Sequence, residues 1–180
     1  MTTQEHESSE PDDGDDLDLA DIVREIPAFH GLDEQDITRL LDASEILQVA
    51  SGETIIRENQ SDRHLYFLID GQVGIHKENV KLCELRRLGD FFGEISVIDS
   101  KCRSATVTAK RDCLLLRLDM DAVDMNDMQG QSHVLAVIYR AFSEVLADRL
   151  RRMNDELLYL RREVIRLHGR LRYDKEGGRA

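Results

Sequence analysis

Gly93, Glu94, Ile95, Ser96 and Arg103 are the residues of this chain best suited to chemistry. Gly93 has no Cβ, so a ligand can come close to its backbone. Glu94-Ile95-Ser96-Val97 reads as one helical turn whose unpaired amides point the same way and form an anion site. Arg103 follows nine residues after Glu94, at the predicted opening of a strand. There its planar guanidinium can hold a phosphate through two parallel bonds. A carboxylate beside an anion site is repulsive unless it accepts hydrogen bonds from hydroxyls, which suits Glu94 to a sugar. Amides, arginine and glutamate together describe a ribose-phosphate pocket. The plainer alternative is an ion pair between Glu94 and Arg103 on a barrel that has lost its ligand.

Strands must hold these residues in place. Between residues 48 and 118 the chain has short β-type runs at 53–56, 65–69, 73–76, 81–85, 105–109 and 113–118. Turn signals separate them at Ser51-Gly52, Glu58-Asn59, Asp70-Gly71 and Gly89-Asp90, a spacing that predicts an antiparallel barrel or sandwich. Asp70-Gly71 between apolar strands predicts a hairpin. Ahead of the strands, residues 19–47 read as helical. Leu19, Ile22, Val23 and Ile26 recur at helical spacing, Pro27 interrupts, and Asp33 is placed to cap a second helix carrying Ile37, Leu40 and Leu41.

After Asp121 the helical period returns. Val134, Leu135, Ile138, Phe142 and Val145 form one stripe. Leu146, Leu150, Met153, Leu157, Leu160, Val164, Leu167 and Leu171 then alternate spacings of four and three. That is a heptad seam about 37 Å long, more than a barrel flank can cover, and it calls for a partner helix. The arginines around it read as coiled-coil flanks paired with Glu156 and Glu163 across helix turns.

Composition excludes several function classes. The net charge is -12, against general nucleic-acid binding. The charge is uneven: residues 1–21 hold nine acids and no Lys or Arg, whereas residues 140–180 hold eleven Lys or Arg and seven acids. Residues 1–17 have the low hydrophobicity and high charge of disorder, and their acids could latch onto the basic helix. No apolar run reaches membrane-helix length, and the acidic start does not resemble a secretory signal, so cytoplasmic residence is expected. Cys83, Cys102 and Cys113 form no metal spacing and read as reduced thiols. His64 and His76 lack ligand-spaced companions. No metal and no catalytic constellation are expected. The predicted layout is an acidic disordered tail at 1–17, a barrel with N-terminal helices at 18–130, a long helix at 131–173 and a frayed tail at 174–180.

The segment from Phe91 to Ala109, FFGEISVIDSKCRSATVTA, resembles the phosphate-binding cassette of cyclic-nucleotide-binding domains. That pattern is FGE, a short helix, then R-x-A-[TS]-V. Phe92-Gly93-Glu94 and Arg103-Ser104-Ala105-Thr106-Val107 match it throughout. The resemblance extends over about residues 26–152 and includes Ile26-Pro27-Ala28-Phe29, Gly31-Leu32, Gly52, Leu65-Tyr66-Phe67, Gly71 and Gly89-Asp90. It implies an α+β fold: an antiparallel jelly-roll-like β-barrel with N-terminal helices and a long C-terminal dimerisation helix. It also implies roles. Glu94 would bind the ribose 2′-hydroxyl and Arg103 the cyclic phosphate. The amides of Ile95 and Ser96, with Ser104 and Ala105, would complete the cradle. Ile75 and Cys83 would face the purine, and Met153 or Asn154 would cap the base, from either chain of a dimer. Two positions depart from the family pattern: Asn59 replaces a turn glycine, and Cys102 replaces a proline before the arginine.

The functional expectation is a non-catalytic sensor of cyclic AMP, with cyclic GMP next because Ser104 offers a hydroxyl. It would act through a homodimer and an unidentified protein partner. A DNA-associated regulator using the basic helix and a ligand-free dimerisation scaffold are the alternatives. Similar bacterial regulators continue into a helix-turn-helix; the short stretch after the resemblance leads to the expectation of a sensor without one.

Overall fold

The structure is a computed structural model, and it describes residues 19–126 and 133–177. The acidic tail at 1–17 and residues 178–180 of the expected frayed tail lie outside the described residues. The chain divides between Gln131 and Ser132 into two compact units.

The first unit opens with α1 (Leu19–Glu25), a 3-10 turn (Pro27–Phe29) and α2 (Glu34–Asp42). Pro27 at the first position of the turn supplies the fixed φ that a helical start needs. Asp33 caps α2 as expected, its side chain accepting from the Asp36 amide at 2.9 Å. Eight strands follow: β1 (Ser44–Val49), β2 (Thr54–Ile56), β3 (His64–Asp70), β4 (Val73–Lys77), β5 (Val80–Leu85), β6 (Phe91–Phe92), β7 (Thr106–Ala109) and β8 (Cys113–Asp119). The helix α3 (Glu94–Asp99) is inserted between β6 and β7, and α4 (Met120–Asn126) follows β8. The strands form two antiparallel four-stranded sheets, ordered β1-β8-β3-β6 and β2-β7-β4-β5. This is the jelly-roll-like fold expected.

The core lies between the sheets. Tyr66, Leu68, Phe92, Cys113 and Leu115 from one sheet meet Ile56, Val73, Ile75, Val107 and Ala109 from the other. β3 is buried on both faces, because successive side chains alternate. Tyr66 and Leu68 point into the sandwich, and Phe67 turns outward onto Phe29 of the 3-10 turn at 4.7 Å between rings. That contact ties the N-terminal helices to the sheet.

Two sequence expectations need correction, and one strand was not foreseen. Residues 44–47 are not the end of a helix. Ser44 and Leu47 continue the spacing of Ile37, Leu40 and Leu41, but α2 stops at Asp42 and β1 pairs with β8 from Ser44↔Leu118 to Val49↔Cys113. Partner strands some 70 residues away decide this, and local period does not see them. Asp70-Gly71 does not close a hairpin: β3 and β4 lie in different sheets, and Gly71 (φ 110°) makes the crossing. A Cβ there would stand 2.5 Å from the Asp112 carbonyl oxygen. β6, two residues long, had no sequence signal and exists through pairing with Tyr66 and Phe67 of β3.

The second unit is the helix α5 (His133–Gly177), 45 residues and about 67 Å long. It continues through residues 174–177, where polar composition predicts fraying; Lys and Glu are good helix formers and need no apolar face. Of the seam residues, Leu150, Met153, Leu157, Leu160, Val164 and Leu167 are exposed. The Leu171 side chain lies outside the described ones. Among the described residues, no helix is long and apolar enough to cross a membrane.

Candidate functional site

The cassette begins where β6 delivers Phe92 into the core, stacked on Tyr66 at 5.2 Å with rings 2° from parallel. The next residue, Gly93, turns the chain into α3 with φ 92°. Left-handed backbone here favours glycine, and space demands it. A Cβ on Gly93 would come within 2.6 Å of Arg103 Nη1 and 2.9 Å of the His64 carbonyl oxygen. α3 then presents Glu94 and Ser96, both 2% exposed, while Ile95 remains exposed.

Arg103 is itself 2% exposed. It does not open β7, which starts at Thr106, but sits in the loop before it. That loop is tied to the β2–β3 connection: the Arg103 amide donates to Gln60 O at 2.7 Å, and the Asn59 amide donates to Arg103 O at 2.9 Å. Asn59 has φ 67°, a conformation that asparagine tolerates better than most residues. All five N–H groups of the guanidinium are engaged. Nη1 donates to the Gly93 carbonyl and to Ser96 Oγ, both at 2.9 Å. Nη2 donates to the His64 carbonyl at 2.7 Å and to Asp62 Oδ1, and Nε donates to Asp62 Oδ2 at 3.1 Å. The Tyr66 ring lies 5.8 Å from the guanidinium carbon, within cation–π range.

Asp62 is the residue that sequence reasoning missed. It lies 41 positions before Arg103, outside every motif. Its fork-to-fork pairing with Arg103 balances the buried charge, and His64 Nδ1 lies 3.1 Å from its Oδ1. Burial opposes ionisation of Asp62. The Arg103 guanidinium, with help from His64, outweighs burial and holds the carboxyl below its ordinary value of 3.8. The carboxylate bonded to Arg103 is Asp62, which the sequence did not single out. Burial, followed by the Asp62 charge, pushes the Tyr66 hydroxyl above its usual range.

A depressed carboxyl stabilises the fold above its unfolded value and loses that contribution as pH falls through the folded value. Asp62→Asn is therefore expected to cost about 1–2 kcal/mol at neutral pH, the low end for bonds to a charged group because Asp62 is partly open to water. The difference from wild type should close as pH drops below about 4. Urea denaturation of both proteins from pH 7 to pH 3 checks it; a constant difference would mean the carboxylate charge is not involved.

Gly93→Ala should cost about 1–3 kcal/mol and displace Arg103, since left-handed strain and the close approach act together. A shift in denaturation midpoint at unchanged slope measures it. A neutral result would show that α3 can retreat.

The remaining expected site residues are only partly gathered. Ile75 is buried in the core and faces Cys83 across the β4–β5 pair, with Val107 on its other side. Ser104 and Ala105 are half-buried beside Arg103, and Ala105 packs on the core. Asn154 is exposed on α5. A separate open groove of about 230 Å³, lined by Asp42, Glu45, Arg117 and Asp119, includes His64 but none of the cassette. Among the described residues, no three His, Cys, Asp or Glu side chains gather as metal ligands.

Two antiparallel sheets with a short helix and a buried arginine between β6 and β7 define the class: a jelly-roll-like domain. Residues 46–125 match the family model of the cyclic nucleotide-binding domain. That match covers 80 of the 180 residues and includes the whole cassette. It is 33% identical over 101 residues to the cAMP-dependent protein kinase regulatory subunit of Aspergillus fumigatus, covering 56% of this chain and 24% of that protein. It thus spans about a quarter of the length of the regulatory subunits it matches. It is similar in structure to the Thermus thermophilus catabolite activator protein, with TM-score 0.58 and 27% identity over 74% of this chain and 62% of that one. The regulatory domain of Toxoplasma gondii PKA, co-crystallised with cAMP, has TM-score 0.52 and 27% identity, covering 59% and 42%.

Proposed function

We propose that this chain is a non-catalytic cytoplasmic sensor of a cyclic nucleotide, cyclic AMP first and cyclic GMP second, which signals through a homodimer of α5 to a protein partner. The observation that carries the reading is Arg103. It is a buried cation held in one orientation by Gly93 O, Ser96 Oγ and Asp62, next to the amides that open α3. Placing an arginine there costs desolvation, which a ligand phosphate with charge-assisted bonds would offset. Glu94, buried at the start of α3, suits the ribose hydroxyl.

Phosphate capture implies motion. Every N–H of Arg103 has a partner, so a phosphate must take donors from Asp62 and His64 or from Gly93 and Ser96. Either exchange changes how firmly α3 is tied to the β2–β3 connection, a local two-state element that ligand can bias. The exposed seam of α5 supports the second half of the reading. In a parallel pair, Glu156 faces Arg161 of the second copy and Glu163 faces His168. A fully overlapping antiparallel pair sets Glu156 against Glu163.

Calorimetric titration with cyclic AMP, cyclic GMP and cyclic di-GMP tests the sensor. One saturable site per chain for one of them supports it. No binding of any at millimolar concentration overturns it and leaves a dimerisation scaffold. Sedimentation velocity tests the dimer: a monomer at tens of micromolar sinks that half.

A further inference from the structure

A second apolar row lies off the seam of α5. Leu158, Tyr159 and Ile165 are 51%, 67% and 71% exposed. At 100° per residue Leu158 and Ile165 lie about 110–130° from the middle of the seam, in line with each other and about 10 Å apart, and Tyr159 lies about as far round on the other flank. Pairing two helices through the seam leaves this row uncovered. Arginines frame it. Arg151 stands one heptad before Leu158, and Arg162 lies between Leu158 and Ile165. Arg152 and Arg166 are neutralised within the helix by Asp148 and Glu163. Arg151 and Arg162 have no ion-pair partner among the described residues.

We infer that this outer face of α5 docks a segment of a partner protein: an amphipathic segment with two or three apolar side chains flanked by carboxylates. The inference rests on the reading that a second copy fills the seam. Complementarity selects the occupant. Asp148 and Asp155 share the face with the arginines, so a uniformly anionic surface, lipid or nucleic acid, would meet carboxylates as well as uncovered apolar groups. A protein segment can match apolar to apolar and acid to arginine. Residues 1–17 of this chain have seven acids but no large apolar residue between Met1 and Leu17, so they match only the charge.

The test is fluorescence anisotropy of a labelled 21-residue helical peptide, titrated with the full chain. The peptide carries Leu at heptad spacing with Glu beside each Leu. The expected result is saturable binding tighter than about 100 μM. It should weaken at least about tenfold in the double variant Leu158→Ser, Ile165→Ser and in the double variant Arg151→Glu, Arg162→Glu. It should also be lost when Ser replaces Leu in the peptide. Binding weaker than about 1 mM, or binding indifferent to both double variants, overturns the proposal. So does capture of duplex DNA or phosphatidylserine vesicles by Arg151 and Arg162 without peptide binding. Sedimentation velocity on the same samples keeps the two readings apart. Dimeric variants with weakened peptide binding support docking on the outer face. A monomeric wild type whose peptide binding is lost in Leu157→Ser makes the seam itself the docking surface and sinks the inference.

Discussion

Replacing Arg103 by Ala is expected to weaken nucleotide binding by about thirtyfold to a few thousandfold. Removing one partner of a desolvated charge pair costs roughly 2–5 kcal/mol, and each 1.4 kcal/mol is a factor of ten. Arg103 is the one buried cation next to the α3 amides among the described residues, so no neighbouring side chain can take over its bonds. The variant also frees Ser96 Oγ, the Gly93 carbonyl and the Asp62 carboxylate from their shared donor. Asp62 can turn to water because it is partly exposed, so the loss of stability should be smaller than the loss of affinity. Arg103→Lys keeps the charge and loses the fork. It should recover only a small part of the affinity, which separates bidentate geometry from charge alone. Calorimetry measures affinity, and urea denaturation of the same samples shows whether the fold survives. Near-wild-type binding in a folded Arg103→Ala protein would place the phosphate elsewhere.

Phe92→Ala is expected to cost about 3–5 kcal/mol of stability, a large share of the 5–15 kcal/mol typical of a domain. Phe92 is 1% exposed and joins both sheets through the core it shares with Tyr66, Ile75 and Val107. Its removal leaves a cavity under the Tyr66 ring, on the segment that positions Gly93 and α3. The loss should therefore spread to the cassette, and a bound nucleotide should restore part of the stability by mass action. Urea denaturation with and without cyclic AMP measures both effects. A cost below about 1 kcal/mol would mean that the two-residue strand β6 is not anchored by this ring.

The residues decide how much of this was legible in advance. Strands β3, β4, β5, β7 and β8 could be read within a residue or two at their ends, because their apolar runs are bounded by turn residues. The cassette was legible as a pattern, and Gly93 and Asn59 have the positive φ that their types suggested. The assignment of strands to sheets was not legible. A Asp-Gly turn looks the same whether it closes a hairpin or carries the chain from one sheet to another. Strand pairing distinguishes the two: β3 lies between β8 and β6, and β4 between β7 and β5.

The sequence alone determined the chemistry of the cassette: an arginine, a glutamate and a glycine at a spacing that suits a ribose phosphate. It also determined the period of the long helix and its heptad seam, since a helix obeys local spacing. Only the tertiary structure decided which carboxylate balances Arg103. Asp62 reaches it across 41 residues because Asn59 and Gln60 bond to the Arg103 backbone and bring two loops together. Likewise, β1 is a strand because β8 lies beside it. Local spacing is a property of neighbours in the chain. Charge balance and strand pairing are properties of neighbours in space, and folding alone creates those.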